Sequence, residues 1–294
     1  MDDEARTPSW VFDGGPEPDG LAAVLYLDNA DSIARVAEVL RLWHDSAVEL
    51  VLPVFAAPAP VTPGVEVRGT EEDLDGRARP VRVARWTDGL TEDLYQLSAW
   101  WSYEDRSLDQ IYQMHVYAFR YYPPVAPGVG RQHLHLRVSM TVPQGTLDVA
   151  IPAMLEMMRR VGDVADPAYG EMVVNRHMAA PDSHLDNALR RLVTHSADES
   201  RTHLRGYEWV TVVPAQLVER LGGVEAIRGC GAFVEVVGLA SGGALLRATE
   251  DPEEYTPERV KRVFEALRAV LPPGKPRWLA GQDFSRIVFQ DASA

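Results

Sequence analysis

The amino-acid sequence predicts an α+β protein of two packed units, with antiparallel-rich sheets that carry helices on one face. Three observations lead to this prediction. Segments with strand-like alternation are interleaved with segments whose apolar residues recur at helical spacing. The order strand, helix, hairpin, helix occurs twice along the chain. The length of 294 residues suits two units of roughly 100–150 residues each.

The first unit is predicted over 21–180, after an irregular arm at 1–20 that is rich in proline and glycine. It begins with a nearly continuous apolar run at 21–28, which is typical of a buried strand. Apolar residues at helical spacing then predict a helix over 31–46.

A segment at 49–109 is interpreted as an insertion into this unit. Its prolines predict a loop at 56–67. Short strands are predicted on either side, at 48–55 and 80–86. A helix is predicted over 90–101, because its leucines fall on one helical face.

The rest of the first unit completes the pattern. Two alternating segments, 110–122 and 131–142, flank a connector rich in proline and glycine and predict a hairpin. A helix around 151–161 and a strand at 170–175 follow.

A bridging helix is predicted at 181–206, and the second unit at 207–294. The predicted elements of that unit are a strand (207–213), a helix from Pro214 to the Gly222–Gly223 pair, a hairpin around 240–243, a final helix capped by Thr256, and a last strand at 278–282 or 285–290. With the insertion set aside, both units have the order of the ferredoxin-like, or split βαβ, motif.

The net charge of the chain indicates which classes of molecule it attracts and which it repels. The chain has 43 acidic and 29 basic residues, for a formal net charge of −14. Such a field repels nucleic acid and anionic membranes and attracts basic partners. The single cysteine, Cys230, excludes an internal disulfide. With no signal-peptide pattern and no apolar run of about 20 residues, we expect a cytoplasmic location.

Three histidines are the best candidates for metal-dependent catalysis. His133 and His135 alternate on one predicted strand, so both imidazoles share a face. His115 lies on the preceding strand and joins them if the hairpin register allows. The alternative is a strand face that simply carries polar histidines.

Other catalytic patterns are absent from the sequence. It contains no GxSxG elbow, no phosphate-binding loop and no GxGxxG motif. We therefore expect no catalytic residues, no resident metal and no cofactor, and we expect that the protein is not an enzyme.

Two regions combine carboxylates with aromatic residues, as protein interfaces often do. The candidate partner-binding residues are Trp100, Trp101, Tyr103, Glu104 and Asp105 in the insertion, and Glu250, Asp251, Glu253, Glu254 and Tyr255 before the last helix. For the first region the alternative is that both tryptophans pack between the insertion and the core. For the second region the alternative is a solvated loop at a helix N-terminus.

Several stretches of the second half resemble a known family. They are RGYEWVTVVPAQLVERLGG (205–223), GGALLRATEDPEEY (242–255), VLPPG (270–274) and PAYGE (167–171). Together they are similar to bacterial type VI secretion immunity proteins, or to a related polymorphic-toxin immunity family. The resemblance covers about 165–275. It implies a non-enzymatic protein that binds a cognate toxin and blocks it.

The leading hypothesis is therefore an immunity protein that neutralises a secreted toxin. Two alternatives remain open. One is a metal-dependent enzyme that uses the histidines of the central hairpin. The other is a ligand-binding or structural module, because split βαβ folds have many unrelated functions.

Overall fold

A computed structural model describes residues 19–28, 32–56, 61–72, 78–82, 94–105, 110–121, 133–143, 145–174, 183–278 and 285–294. Its strands are β1 (Asp19–Leu27), β2 (Thr62–Glu72), β3 (Ala78–Arg82), β4 (Leu94–Asp105), β5 (Gln110–Tyr121), β6 (His133–Val142), β7 (Tyr169–Val174), β8 (Val210–Val213), β9 (Glu235–Gly238) and β10 (Ala244–Arg247).

The helices lie between these strands. They are α1 (Ile33–Ser46), which continues through a π-helical turn at Ala47–Val51 into α2 (Leu52–Ala56), then α3 (Leu147–Ala165), α4 (His184–Leu189), α5 (Val193–Asp198), α6 (Ala215–Arg220), α7 (Val224–Gly229) and α8 (Pro257–Leu267). The α+β prediction is confirmed.

One sheet runs through the described part of the chain. Its ten strands lie in the order β3-β2-β4-β5-β6-β1-β7-β8-β10-β9, and the paired strands are antiparallel. The four strands β7-β1-β6-β5 have the spatial order 4-1-3-2 of a split βαβ unit. The strands β8, β9 and β10 repeat the first three positions of that order, and β7 takes the fourth. The strand order is thus consistent with the predicted ferredoxin-like units, which share β7.

The central hairpin was predicted in the right place. β5 and β6 pair antiparallel, with Val116 opposite Val138. The predicted strands at 21–28 and 170–175 are confirmed as β1 and β7, and they pair with each other. The helices α1, α3 and α8 likewise form where apolar spacing predicted them.

The predicted strand at 48–55 is wrong, because this segment is helical. Ala47, Val51 and Phe55 recur every four residues and are at most 3% exposed. This stripe continues the buried face of α1, and helical spacing therefore decides the structure.

The predicted helix at 90–101 is also wrong where the structure describes it, since β4 begins at Leu94. Burial alternates along this segment, with Leu97 and Ala99 buried and their neighbours half-buried. A period of two fits a strand with one covered face. Residues 90–93 lie outside the described part.

Two further predictions need correction. The loop predicted at 56–67 gives way to β2 from Thr62 onward. Pro63 is tolerated there because β3 pairs with β2 only from Glu66 onward. The bridging helix predicted at 181–206 is instead, over its described residues, the two short helices α4 and α5.

At the C-terminal end, residues 285–290 form a turn and irregular backbone rather than a strand, and residues 279–282 of the alternative position lie outside the described residues. Within the described residues, no helix combines the length and apolar character that crossing a membrane requires. The predicted division into two units stays a prediction, because a single sheet joins the two halves.

Candidate partner-binding face

The strands β4, β5 and β6 have one covered face and one open face. The side chains of the covered face are at most 4% exposed: Leu97, Ala99, Met114, Val116, Ala118, Leu134, Leu136, Val138 and Met140. Trp101 lies on the same face, with its ring 6.0 Å from the ring of His44. This contact places α1 over the covered face.

The opposite side of these strands is the open face. We define it by Ser98, Trp100 and Ser102 of β4, Gln113, His115, Tyr117 and Phe119 of β5, and Arg137, Ser139 and Thr141 of β6. Gln113 is exposed and the other nine are half-buried. In a chain of net charge −14, none of these side chains is acidic.

Aromatic rings form the middle of the open face. Trp100 stands opposite both Gly64 of β2 and His115 of β5. The indole lies directly against Gly64, where a Cβ atom would overlap its ring carbons. Tyr117 and Phe119 lie nearly parallel, with ring centroids 6.4 Å apart and an interplanar angle of 7°. The surface is therefore apolar in the middle and is bordered by hydroxyl and amide groups.

His115 is a neutral member of this face. Its Nε2 lies 3.2 Å from Oε1 of Gln113. Burial, together with the positive charge of Arg137, lowers the pKa of His115. The imidazole is therefore uncharged at neutral pH, and Arg137 is the cation of the open face.

One end of this side of the sheet is closed by the segment that contains α4 and α5. Nε2 of His133 lies 2.8 Å from Oδ1 of Asp198, at the end of α5. The ring of His135 stacks on Tyr26, with centroids 4.7 Å apart and an interplanar angle of 7°. The guanidinium of Arg205 lies over Tyr26, 4.2 Å from its centroid. Helices on this side were not predicted from the sequence.

A buried ion pair holds this segment together. Arg205 and Asp186 have fully buried side chains, and Nη2 of Arg205 lies 3.0 Å from Oδ2 of Asp186. Ser196 donates to the same carboxylate oxygen over 2.8 Å. Ser183 accepts from the Asp186 N–H over 3.0 Å and also donates to the Arg205 carbonyl. The carboxylate thus receives the hydrogen bonds that a buried charge requires.

Between this segment and the sheet lies a small cavity of about 10 Å³, lined in part by Tyr26, His133 and Arg205. That volume is close to the room that a single water molecule needs, roughly 10–15 Å³. The cavity has no space for a metabolite-sized substrate.

The structure does not bring the three candidate histidines together. His135 stands opposite Phe119 and His133 opposite Tyr121, whereas His115 stands opposite Ser139, four residues further along β6. At about 3.4 Å per residue this separates His115 from His135 by more than 10 Å along the strands. Among the described residues, no group of three or more His, Cys, Asp or Glu is placed to hold a metal ion. The strand register therefore places His115 away from His133 and His135.

The first predicted partner region is divided between the two faces of β4. Trp100 lies on the open face, whereas Trp101 and Tyr103 pack against the core on the covered face. Glu104 is exposed, and the side chain of Asp105 lies outside the described residues. Trp100 and Glu104 are therefore the members of this region that a partner can reach.

The second predicted region is a solvated loop, with one exception. Glu250, Asp251, Glu253 and Glu254 are exposed. Tyr255 is only 5% exposed and donates to the Tyr207 carbonyl over 3.0 Å. It belongs to the core, so its prediction as a surface aromatic is corrected.

Sequence reasoning did not assign Tyr117, Phe119 and Arg137 to a binding surface. A usable signal existed, because the alternation in 110–122 and 131–142 already predicted strands. Alternate residues of a strand share a face. The missing information was which face the helices cover.

Comparison with known proteins gives a likeness in structure but none in sequence. No protein-family model matches the sequence, and no curated protein matches it. The structure is similar to that of the Pseudomonas aeruginosa T6SS protein PA0821, with a TM-score of 0.54 and 14% sequence identity. The match covers 94% of this chain and 80% of that chain. At this identity the likeness shows a shared α+β fold.

Proposed function

We propose that this chain is an immunity protein, which binds a cognate T6SS toxin and neutralises it by contact rather than by catalysis. The observation that carries the proposal is the open face, a sheet surface with half-buried aromatic rings in its middle. Rigid aromatic surfaces of this kind are typical of protein interfaces.

The fold likeness supports the T6SS part of the proposal. It extends over 94% of this chain, so it covers both halves of the continuous sheet. The segments within 165–275 that resemble immunity proteins lie in the second half and include β8, α6 and β10. The two similarities therefore concern different properties, the architecture and the local sequence.

The net charge supports a basic protein partner. An inhibitor of charge −14 attracts a basic toxin and repels the nucleic acid on which such toxins act. Toxins of this class act in the cytoplasm, which is where we place the inhibitor.

The contacts of the histidines support action without catalysis. His133 is bonded to Asp198, His135 is stacked on Tyr26, and His115 lies beside Gln113. Each has a structural role in the sheet, and of the three only His133 lines the small cavity described above.

A co-expression experiment tests the proposal. The protein encoded by the adjacent gene, taken as the candidate toxin domain, is produced in a bacterial host with this chain or with an unrelated acidic protein as the control. We expect growth to be rescued by this chain alone, and a stable complex to form between the purified proteins. If growth stays inhibited and no complex forms at micromolar concentrations, the proposal is wrong.

A further inference from the structure

We propose that the toxin docks on the open face, centred on Trp100, and that the docked surface is an apolar ridge flanked by basic side chains. This inference rests on the proposed function and specifies the surface that performs it. It replaces the two separate regions suggested by the sequence with one continuous surface.

The centre of the face has the composition of an interface core. Trp100, His115, Tyr117 and Phe119 are half-buried and contiguous across β4 and β5. Aromatic residues in such positions provide most of the binding energy at protein interfaces, and charged residues are depleted there. The ten residues that define the open face include no carboxylate; Glu104 follows on the same side of β4, and Glu66 of β2 stands opposite Ser98.

The ends of this side of the sheet carry the negative charge. Glu104 is exposed near the end of β4, four residues from Trp100 and on the same side of the strand. Asp198 is 55% exposed at the opposite end, where it holds His133. An apolar centre between two acidic ends is complementary to a ridge with basic flanks.

Single-stranded nucleic acid is the competing occupant of an aromatic sheet face. Such binding needs several cations along the backbone path, and Arg137 is the one permanent cation among the ten residues that define the open face. Glu104 and Asp198 oppose a phosphate chain at both ends. The charges therefore favour a basic protein.

Gly64 gives Trp100 its position. The glycine lies opposite Trp100 on β2, and the indole occupies the space that a side chain at 64 would fill. An alanine methyl group at position 64 must displace the Trp100 indole, while the indole itself stays chemically unchanged. Gly64 is thus a positioning residue, and Trp100 is the residue that contacts the partner.

The experiment measures affinity for the neighbouring toxin domain by titration calorimetry. We expect Trp100→Ala to weaken binding roughly 30-fold or more, as for a central interface aromatic. Gly64→Ala should weaken it by about tenfold, a displacement effect smaller than loss of the ring. The matched controls are Trp278→Ala, which removes a 65% exposed tryptophan elsewhere, and Gly229→Ala, where a Cβ meets no atom within 4 Å.

A rim variant keeps the test independent of folding. Glu104→Gln changes an exposed side chain and should slow association severalfold with an unchanged melting temperature. The Glu104→Gln variant therefore tests the docking surface even if Trp100→Ala does not fold.

Each outcome separates the two proposals. If the wild-type chain binds no toxin domain, both are wrong. If it binds, and the Trp100, Gly64 and Glu104 variants bind equally well, the docking surface is wrong and the immunity function stands. If Trp278→Ala weakens toxin binding as much as Trp100→Ala does, the proposed docking surface is also wrong. A 20-nucleotide oligo(dT) probe that binds and competes through Trp100 would overturn the basic-protein partner.

Discussion

Arg205 and Asp186 show how a single pair of side chains organises the closed end of the sheet. Both are fully buried, and the guanidinium also lies over the ring of Tyr26. A buried ion pair contributes little net stability by itself, but removing one partner leaves an uncompensated charge. The pair therefore determines which arrangement of 183–206 is tolerated on the sheet.

Replacing Arg205 with methionine should lower the free energy of unfolding by up to about 3–5 kcal/mol, because Asp186 would stay buried with Arg191, 3.3 Å away, as its remaining cation. Denaturant titration measures the change. The double variant Arg205→Met with Asp186→Leu should recover most of the loss. Arg160→Met, which breaks an ion pair with the exposed Glu49, should have little effect. A loss as small as that of the control would contradict the role of the buried pair.

His135 makes the stability of the fold depend on pH. Burial, together with the charges of Arg137 and Arg205, lowers the pKa of His135 from 6.5 to about 3. Between these values the unfolded chain binds a proton that the folded chain does not bind. The stability that this group contributes is therefore complete above about pH 6.5 and is lost as the pH falls towards 3.

The variant His135→Phe should flatten this dependence, because phenylalanine keeps a ring against Tyr26 and cannot be protonated. The slope of the free energy of unfolding against pH should decrease by up to about 1.4 kcal/mol per pH unit between pH 6 and 4. Denaturant titration at a series of pH values gives the slope. The control His195→Gln changes an exposed histidine of α5. Equal slopes for the wild type and His135→Phe would refute the assignment.

Among the secondary-structure elements, β4 marks the limit of local sequence reasoning. Its leucines suggested a helical face, but the burial of Leu97 and Ala99 on one side and the half-exposure of Trp100 on the other are strand features. Adjacent tryptophans are consistent with either structure until the partners of the strand are known. The hairpin of β5 and β6 was predictable because both strands alternate and are close in sequence.

The strand β7 illustrates a feature that no local pattern contained. It pairs with β1 on one side and β8 on the other, so it belongs to both split βαβ sets. Gly170 stands between Leu25 of β1 and Val212 of β8. A Cβ at this position would lie 2.6 Å from Leu25 and 3.0 Å from Val212. The glycine therefore permits close packing at the junction of the two halves.

Gly170→Ala should accordingly destabilise the protein by about 1–3 kcal/mol through overpacking. Thermal or denaturant unfolding measures the change. Gly238→Ala is the matched strand control, because its Cβ would lie 3.5 Å from Val224, an ordinary contact. Equal stability of the two variants would show that the junction tolerates extra volume.

The complete architecture depends on local patterns, which can be read from the sequence, and on strand pairings between distant segments, which cannot. Periodicity identified the helices α1, α3 and α8 and the central strands, and the element order indicated the split βαβ arrangement. The joining of ten strands into one sheet depends on pairings such as β7 with β8, for which no local signal exists. The open face follows from the same choices, because it depends on which side of β4, β5 and β6 the helix α1 covers.

The distribution of charge leads to a last prediction, on the kinetics of association with a basic toxin. Electrostatic steering acts over about 10 Å at 0.1 M salt, so raising the salt from about 0.05 to 0.5 M should slow association at least tenfold and change dissociation little.

Neutralising Glu104 and Asp198 together, as Glu104→Gln and Asp198→Asn, takes the net charge from −14 to −12. The asparagine keeps an acceptor for His133. Neutralising Glu253 and Glu254 in the C-terminal loop changes the net charge equally. If charge near the docking surface matters more than net charge, the first pair should slow association and flatten its salt dependence more strongly than the second. Stopped-flow or surface-binding kinetics measure both rates. Equal effects of the two pairs would assign the steering to net charge alone, and a stronger effect of Glu253 and Glu254 would move the interface to that loop.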